Sequence, residues 1–126
     1  MDLGQRVAVV TGGGSGIGAA LAHAITGAGA AHVVVADLDG DAARTVATEV
    51  GGSAVALDVR DEAAVIDLVD RTEAAHGPIG LFVSNAGFVT TAGIEDSNER
   101  IQSMWEVHVM AHIFAARAVL PQMIAN

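Results

Sequence analysis

Short runs of β-branched apolar residues alternate along the chain with segments whose apolar positions recur three or four residues apart. Val7 to Val10, His32 to Asp37, Ser53 to Asp58 and Gly80 to Asn85 are hydrophobic runs of strand length that end in polar residues. Strands apolar on both faces, rather than on alternate residues, belong in a sheet covered above and below. Between the first two runs, Ile17, Leu21 and Ile25 repeat every four residues before Gly27, the spacing of one helix face. Val65, Leu68 and Val69 do the same in a segment opened by Asp61 and Glu62 and closed by Gly77 and Pro78, which are helix start and stop signals. A weaker helical pattern covers about Asp41 to Val50. From about Ser97 the chain reads as helix to its end, with Pro121 expected to bend or break the last turns.

This order, four strands separated by crossovers of helical length, predicts an α/β fold: a Rossmann-type doubly wound parallel sheet with right-handed connections. The reading has the sheet truncated after the fourth strand and the long helix that follows. Residues 1–126 contain no repeat, low-complexity tract or linker and are read as one incomplete domain.

Residues 7–36 carry no Asp, Glu, Lys or Arg, a stretch of membrane-spanning length. Its glycine-rich break from Gly12 to Gly18 divides it into strand, loop, helix and strand, so no membrane partner is expected. The opening MDLGQR lacks the basic start of a signal peptide. A formal net charge of −9 argues against nucleic acid and anionic lipid as partners. There is no cysteine, hence no disulfide or thiolate metal site, and a cytoplasmic location is the default. No metal site is expected among the five histidines: His108 and His112 are read as packed helix neighbours, and His23 as another packed helix residue with a satisfied hydrogen bond.

The candidate chemistry lies in the turns that leave the strands. Thr11-Gly12-Gly13-Gly14-Ser15-Gly16-Ile17-Gly18 runs from a strand straight into a helix. Glycines there let the chain turn tightly and let a pyrophosphate reach the amides of the helix N-terminus, whose dipole favours negative charge. A P-loop is excluded because no Gly-Lys-Ser/Thr follows. Asp37 closes the second strand, where a carboxylate accepts from both ribose hydroxyls and repels a 2′-phosphate, favouring NAD over NADP; the lesser alternative is that it only starts a turn through Leu38, Asp39 and Gly40. Asp58, with the amide of Val59, is placed to read an adenine edge; the other reading is that Asp58 or Asp61 caps the next helix. Asn85-Ala86-Gly87 ends the fourth strand, on the side of such sheets where ligands bind.

Together TGGGSGIG (Thr11 to Gly18), VADLD, LDV (Leu57 to Val59), SNAG (Ser84 to Gly87) and the late helix from Val107 to Met123 resemble the short-chain dehydrogenase/reductase family along the whole chain. The resemblance implies hydride transfer between a nicotinamide dinucleotide and an alcohol or carbonyl substrate. It implies that Gly12, Ser15, Gly16, Ile17 and Gly18 hold the phosphates, Asp37 and Leu38 the adenosine ribose and ring, Asp58 and Val59 the adenine, and Asn85, Ala86 and Gly87 the inner ribose.

Two departures from the family pattern bear on activity. The late helix has His108 where the family typically places an asparagine in a proton relay, and Ala111 where a glycine is typical; His108 is a weak catalytic candidate and suits a packed helix position better. The family's Tyr-x-x-x-Lys, the general acid/base and the lysine that lowers its pKa, is absent, since the chain has neither tyrosine nor lysine. The chain alone is therefore expected to be inactive. The alternative reading is a non-catalytic nucleotide-binding or interaction module, and a methyltransferase stands third. An uncovered edge at Leu81 to Val83 and a stripe of Ile113, Phe114, Val119 and Leu120 are expected to drive self-association.

Overall fold

The computed structural model describes residues 2–126. Four parallel strands, β1 (Val7–Thr11), β2 (His32–Asp37), β3 (Ser53–Ala56) and β4 (Ile79–Val83), form one sheet in the order β3-β2-β1-β4. Their connections are helices α1 (Gly16–Gly27), α2 (Gly40–Val50) and α3 (Glu62–His76). After β4 come a short 3₁₀ turn (Gly93–Glu95), α4 (Asn98–Trp105), a π-turn (Glu106–Met110) and α5 (Ala111–Ala125).

The valine runs explain the layering. All five residues of β1 are buried, and its side chains divide by the period of two. Val7 and Val9 join Val34, Ala36, Val65, Leu68, Val69 and Val119 in the core beneath α3 and α5. Ala8 and Val10 join Val33, Val35, Ala22, Ile25, Val46 and Ala47 beneath α1 and α2. Each fully buried valine stabilises the fold by about 1.5–3 kcal/mol relative to exposure. Small residues let the helices sit close: Ala22 and Ala43 have no exposed surface.

Local signals fix the helix ends. The Asp39 carboxylate accepts from the amides of Asp41 and Ala42 at 3.1 and 3.0 Å, and α2 ends on Gly51 in the left-handed conformation (φ 68°). Asp61 caps α3 through the Ala64 amide, and Ser97 caps α4 through the Arg100 amide.

α1 buries Gly18, Ala22 and Ile25 and leaves Ile17, 74% exposed, at the open end of the sheet. Three expectations change. The third strand stops at Ala56, although the Leu57 amide still donates to the Asp37 carbonyl at 2.9 Å. The late helix runs through Pro121 to Ala125, and its regular winding is interrupted earlier, by the π-turn. Val119 is 4% exposed rather than part of a surface stripe, since it lies in line with Ala111 and Ala115 on the face packed inward. Ile113 and Leu120 are exposed at 39% and 46%, with Phe114 half-buried against the core.

The run Asn98–Ala125 is long and apolar enough, by length and composition, to cross a membrane. Within it, Val107, Ala111, Ala115 and Val119 form a buried line at four-residue spacing, the pattern of a helix laid on a sheet.

Candidate functional site

The carboxyl ends of β1, β2 and β4 and the turn after β3 open into a cleft of about 620 Å³. Gly12, Ser15, Gly16, Ile17, Gly18, Asp37, Leu38, Asp58, Val59, Asn85, Ala86 and Gly87 all line it. The sequence therefore pointed to residues that four separate turns bring to one place. Leu57, Arg60, Phe88, Ser103 and Val107 line it as well.

The glycine loop is shaped by contacts that leave no room for side chains. Gly12 has φ +65°, and a Cβ there would lie 2.8 Å from the Ala86 Cα; a Cβ on Gly18 would run into the carbonyl oxygen of Gly12. Gly16, at φ +54°, differs: a Cβ there would meet nothing within 4 Å. Beside this open space the helix begins without a side-chain cap from Ser15, and its first internal bond is from the Ala19 amide to the Ser15 carbonyl. The amides of Gly16, Ile17 and Gly18 have no protein acceptor among the described residues, so they and the helix dipole are available to an anion. A dinucleotide's diphosphate fits this donor set and this clearance.

Asp37 has two structural bonds. One carboxylate oxygen accepts from the Gly14 amide and the other from the Asp39 amide, both at 2.9 Å. It thus opens the turn and also braces the glycine loop. A carboxylate has about four acceptor sites, so each oxygen of this cleft-lining residue keeps one unfilled by these two bonds.

Asp58 is engaged differently from Asp61. Its Oδ1 accepts from the amide and the Nε of Arg60, both at 3.0 Å, and its Oδ2 accepts from Nη2 of Arg60 at 2.7 Å. The side-chain hydrogen bond from Arg60 is the main reason its carboxyl lies below the usual carboxylate range; partial burial works the other way. Nη1 of Arg60 donates to Ser103 Oγ of α4 at 2.8 Å. Sequence reasoning missed this link, because Arg60 and Ser103 are 43 positions apart. The four-residue spacing of Ser103 and Val107 on one helix was the available signal.

Thr11 is the other residue not singled out. Its hydroxyl accepts from the amides of Asn85 and Ala86 at 3.0 and 3.3 Å and lies 3.3 Å from the Val83 carbonyl. The Asn85 side-chain amide donates to the carbonyls of Thr11 and Gly12 at 3.2 and 3.4 Å. Asn85 thereby holds the loop that would hold the phosphates.

His108 lies in the π-turn. Its Nε2 is 2.6 Å from the Phe88 carbonyl, an acceptor only, so the ring donates there and ties the segment after β4 to the late helix. His108 is not among the residues lining the cleft. His112 Nδ1 pairs with Ser84 Oγ at 2.6 Å, and His23 with Glu49 at 2.9 Å.

The short chain dehydrogenase family model matches residues 6–126. A 1-deoxy-11-beta-hydroxypentalenate dehydrogenase of Streptomyces exfoliatus is 39% identical over 98% of this chain and 48% of its own length. Sorbitol dehydrogenase of Cereibacter sphaeroides is 37% identical over 100% and 50%. Among solved structures, the L-sorbose reductase from Gluconobacter frateurii complexed with NADPH and L-sorbose superposes with a TM-score of 0.85 at 36% identity, over 99% of this chain and 51% of that one. A 3-ketoacyl-(acyl-carrier-protein) reductase from Brucella melitensis complexed with NADH gives 0.92 at 31% identity, over 98% and 52%. The chain spans about half the length of the curated relatives it matches. With its parallel sheet, glycine loop and Asn-Ala-Gly turn, the chain belongs to the short-chain dehydrogenase/reductase family of oxidoreductases.

Proposed function

We propose that the cleft binds NAD in preference to NADP, as the cofactor half of an oxidoreductase acting on an alcohol or carbonyl substrate. The observation that carries this reading is the pairing of unpartnered amides at Gly16, Ile17 and Gly18 with the Asp37 carboxylate in one cleft. In this reading the phosphates lie against the glycine loop, the adenosine ribose against Asp37 and Leu38, the adenine against Asp58 and Val59, and the inner ribose against Asn85, Ala86 and Gly87.

The preference for NAD rests on charge. A 2′-phosphate beside Asp37 would meet a carboxylate, and Arg60, the one arginine lining the cleft, already serves Asp58 and Ser103. The two solved relatives named above, one with NADPH and one with NADH, leave this choice to the residues present. When bound, the dinucleotide supplies the hydride chemistry; the residues here bind and orient it. General acid/base catalysis needs a group that this chain, with no tyrosine or lysine, does not supply in the family's manner, so residues 1–126 alone are proposed to be inactive. His108, committed to Phe88, is proposed to hold the segment after β4 rather than to carry protons.

Calorimetric titration tests the reading. NAD should bind more tightly than NADP, and Asp37→Ala should remove most of the difference; equal affinities in the parent chain contradict it. Helix-terminus electrostatics contribute about 0.3–2 kcal/mol, against about 8 kcal/mol for micromolar affinity, so weak binding is expected of these residues alone. The same absence of tyrosine and lysine favours, as second reading, a non-catalytic nucleotide-binding module. Location in the cytoplasm is the expectation that accompanies both.

A further inference from the structure

We propose that Gly14, which is not among the residues lining the cleft, is a specificity-determining position: it donates its amide to Asp37 and leaves room for the carboxylate, and so pins the acid where it rejects a 2′-phosphate. The inference rests on the reading of Asp37 as the acid beside the ribose and adds what holds that acid in place.

Unlike Gly12 and Gly16, Gly14 does not have a positive φ, so its backbone conformation does not call for glycine. Its packing does. A Cβ there would lie 2.9 Å from Asp37 Oδ2, 3.0 Å from Asp37 Cγ and 2.9 Å from the Cβ of Ala42 in the first turn of α2. The Ala42 amide is tied to the Asp39 cap, and the Gly13 amide donates to the Ala36 carbonyl at 3.1 Å, so helix and loop are both fixed against the end of β2. The Asp37 carboxylate is the group left to move. At present it is gripped from both ends, by the Gly14 amide on Oδ2 and the Asp39 amide on Oδ1, each at 2.9 Å. A carboxylate held at one oxygen can turn about its last bond and swing aside from an incoming phosphate; held at both, it stays, and like charges meet. Discrimination between the dinucleotides thus depends on a glycine outside the cleft lining.

The test titrates the chain with NAD and NADP, which differ only in the 2′-phosphate. The parent chain should prefer NAD by about tenfold or more, as expected where a phosphate meets a fixed carboxylate. Gly14→Ala should bring the ratio below about threefold, with NADP gaining on NAD. A merely structural role would weaken both dinucleotides alike and leave the ratio unmoved. In the Asp37→Ala background, where no carboxylate remains to be held, adding Gly14→Ala should leave the ratio as it is. If Gly14→Ala does not fold, as judged by circular dichroism, combining it with Ala42→Gly removes the clash with α2, keeps the one with Asp37, and should show the same narrowed ratio. A parental ratio in the Gly14 variants overturns the inference and leaves the Asp37 reading standing. A parent chain that binds NAD and NADP equally overturns the Asp37 reading, and the inference with it. Absence of binding by either dinucleotide overturns the nucleotide reading itself and all that rests on it.

Discussion

Thr11, the last residue of β1, and Asn85, in the turn after β4, hold each other through both main chain and side chain. The Thr11 hydroxyl accepts from the Asn85 amide at 3.0 Å, and the Asn85 side chain donates back to the Thr11 carbonyl at 3.2 Å. The hydroxyl is 2% exposed as part of its residue, so water cannot replace it readily. Thr11→Val keeps the shape and strands the amides of Asn85 and Ala86. We expect a loss of about 1–3 kcal/mol in urea unfolding; an unchanged midpoint would show that the pairing contributes nothing to stability.

Two glycines of the loop should respond to alanine to very different degrees. Gly18→Ala drives a Cβ into the Gly12 carbonyl, so the loop must shift and both nucleotide binding and stability should fall. Gly16→Ala meets no atom and bears only the strain of its positive φ, about 1 kcal/mol. Melting curves of the two variants check this, and a larger loss at Gly16 would contradict the geometry.

His32 gives the fold a pH dependence at the end of the sheet away from the cleft. Its ring stacks on His76 with centroids 3.7 Å apart, and its Nε2 pairs with Ser53 Oγ at 2.6 Å. Burial, and then the charge of His76, lower its pKa from the ordinary 6.5. The unfolded chain therefore binds a proton at a pH where the folded chain does not. Stability from this group is complete above about 6.5 and declines as pH falls through the depressed folded value. Urea midpoints measured from pH 7.5 to 5 should fall in the parent and flatten in His32→Gln; parallel profiles would assign the decline to other groups.

β4 pairs with β1 on one side only, and Ile113, Leu120 and Ile124 are exposed on α5. Unpaired strand edges and contiguous apolar surface favour association. Light scattering of residues 1–126 should show mass rising with concentration, and Ile113→Glu with Leu120→Glu should reduce it. A stable monomer with cooperative melting in the parent would refute this.

The strands were legible because β1 and β2 are buried on both faces, which forces continuous valine runs such as Val33 to Val35. The cleft was legible because the tight turn at Gly12 and the close approach of Gly18 to the Gly12 carbonyl tolerate only glycine and so leave a mark in the sequence. Ile17 lies in the cleft where the glycine motif put it, although its four-residue spacing is shared with Ile25 in the core. The π-turn around His108 has no hydrophobic period of its own, and the Arg60 link to Ser103 is made only when α4 returns over the turn after β3.

The central claim, that a diphosphate lies against the start of α1 with a ribose at Asp37, is tested most directly by following backbone amide resonances of the folded chain during titration with NAD. The largest shifts are expected at Gly16, Ile17 and Gly18, with Asp37 and Leu38 next. Saturating dinucleotide that leaves those amides unmoved, or moves only residues distant from the cleft, would contradict it.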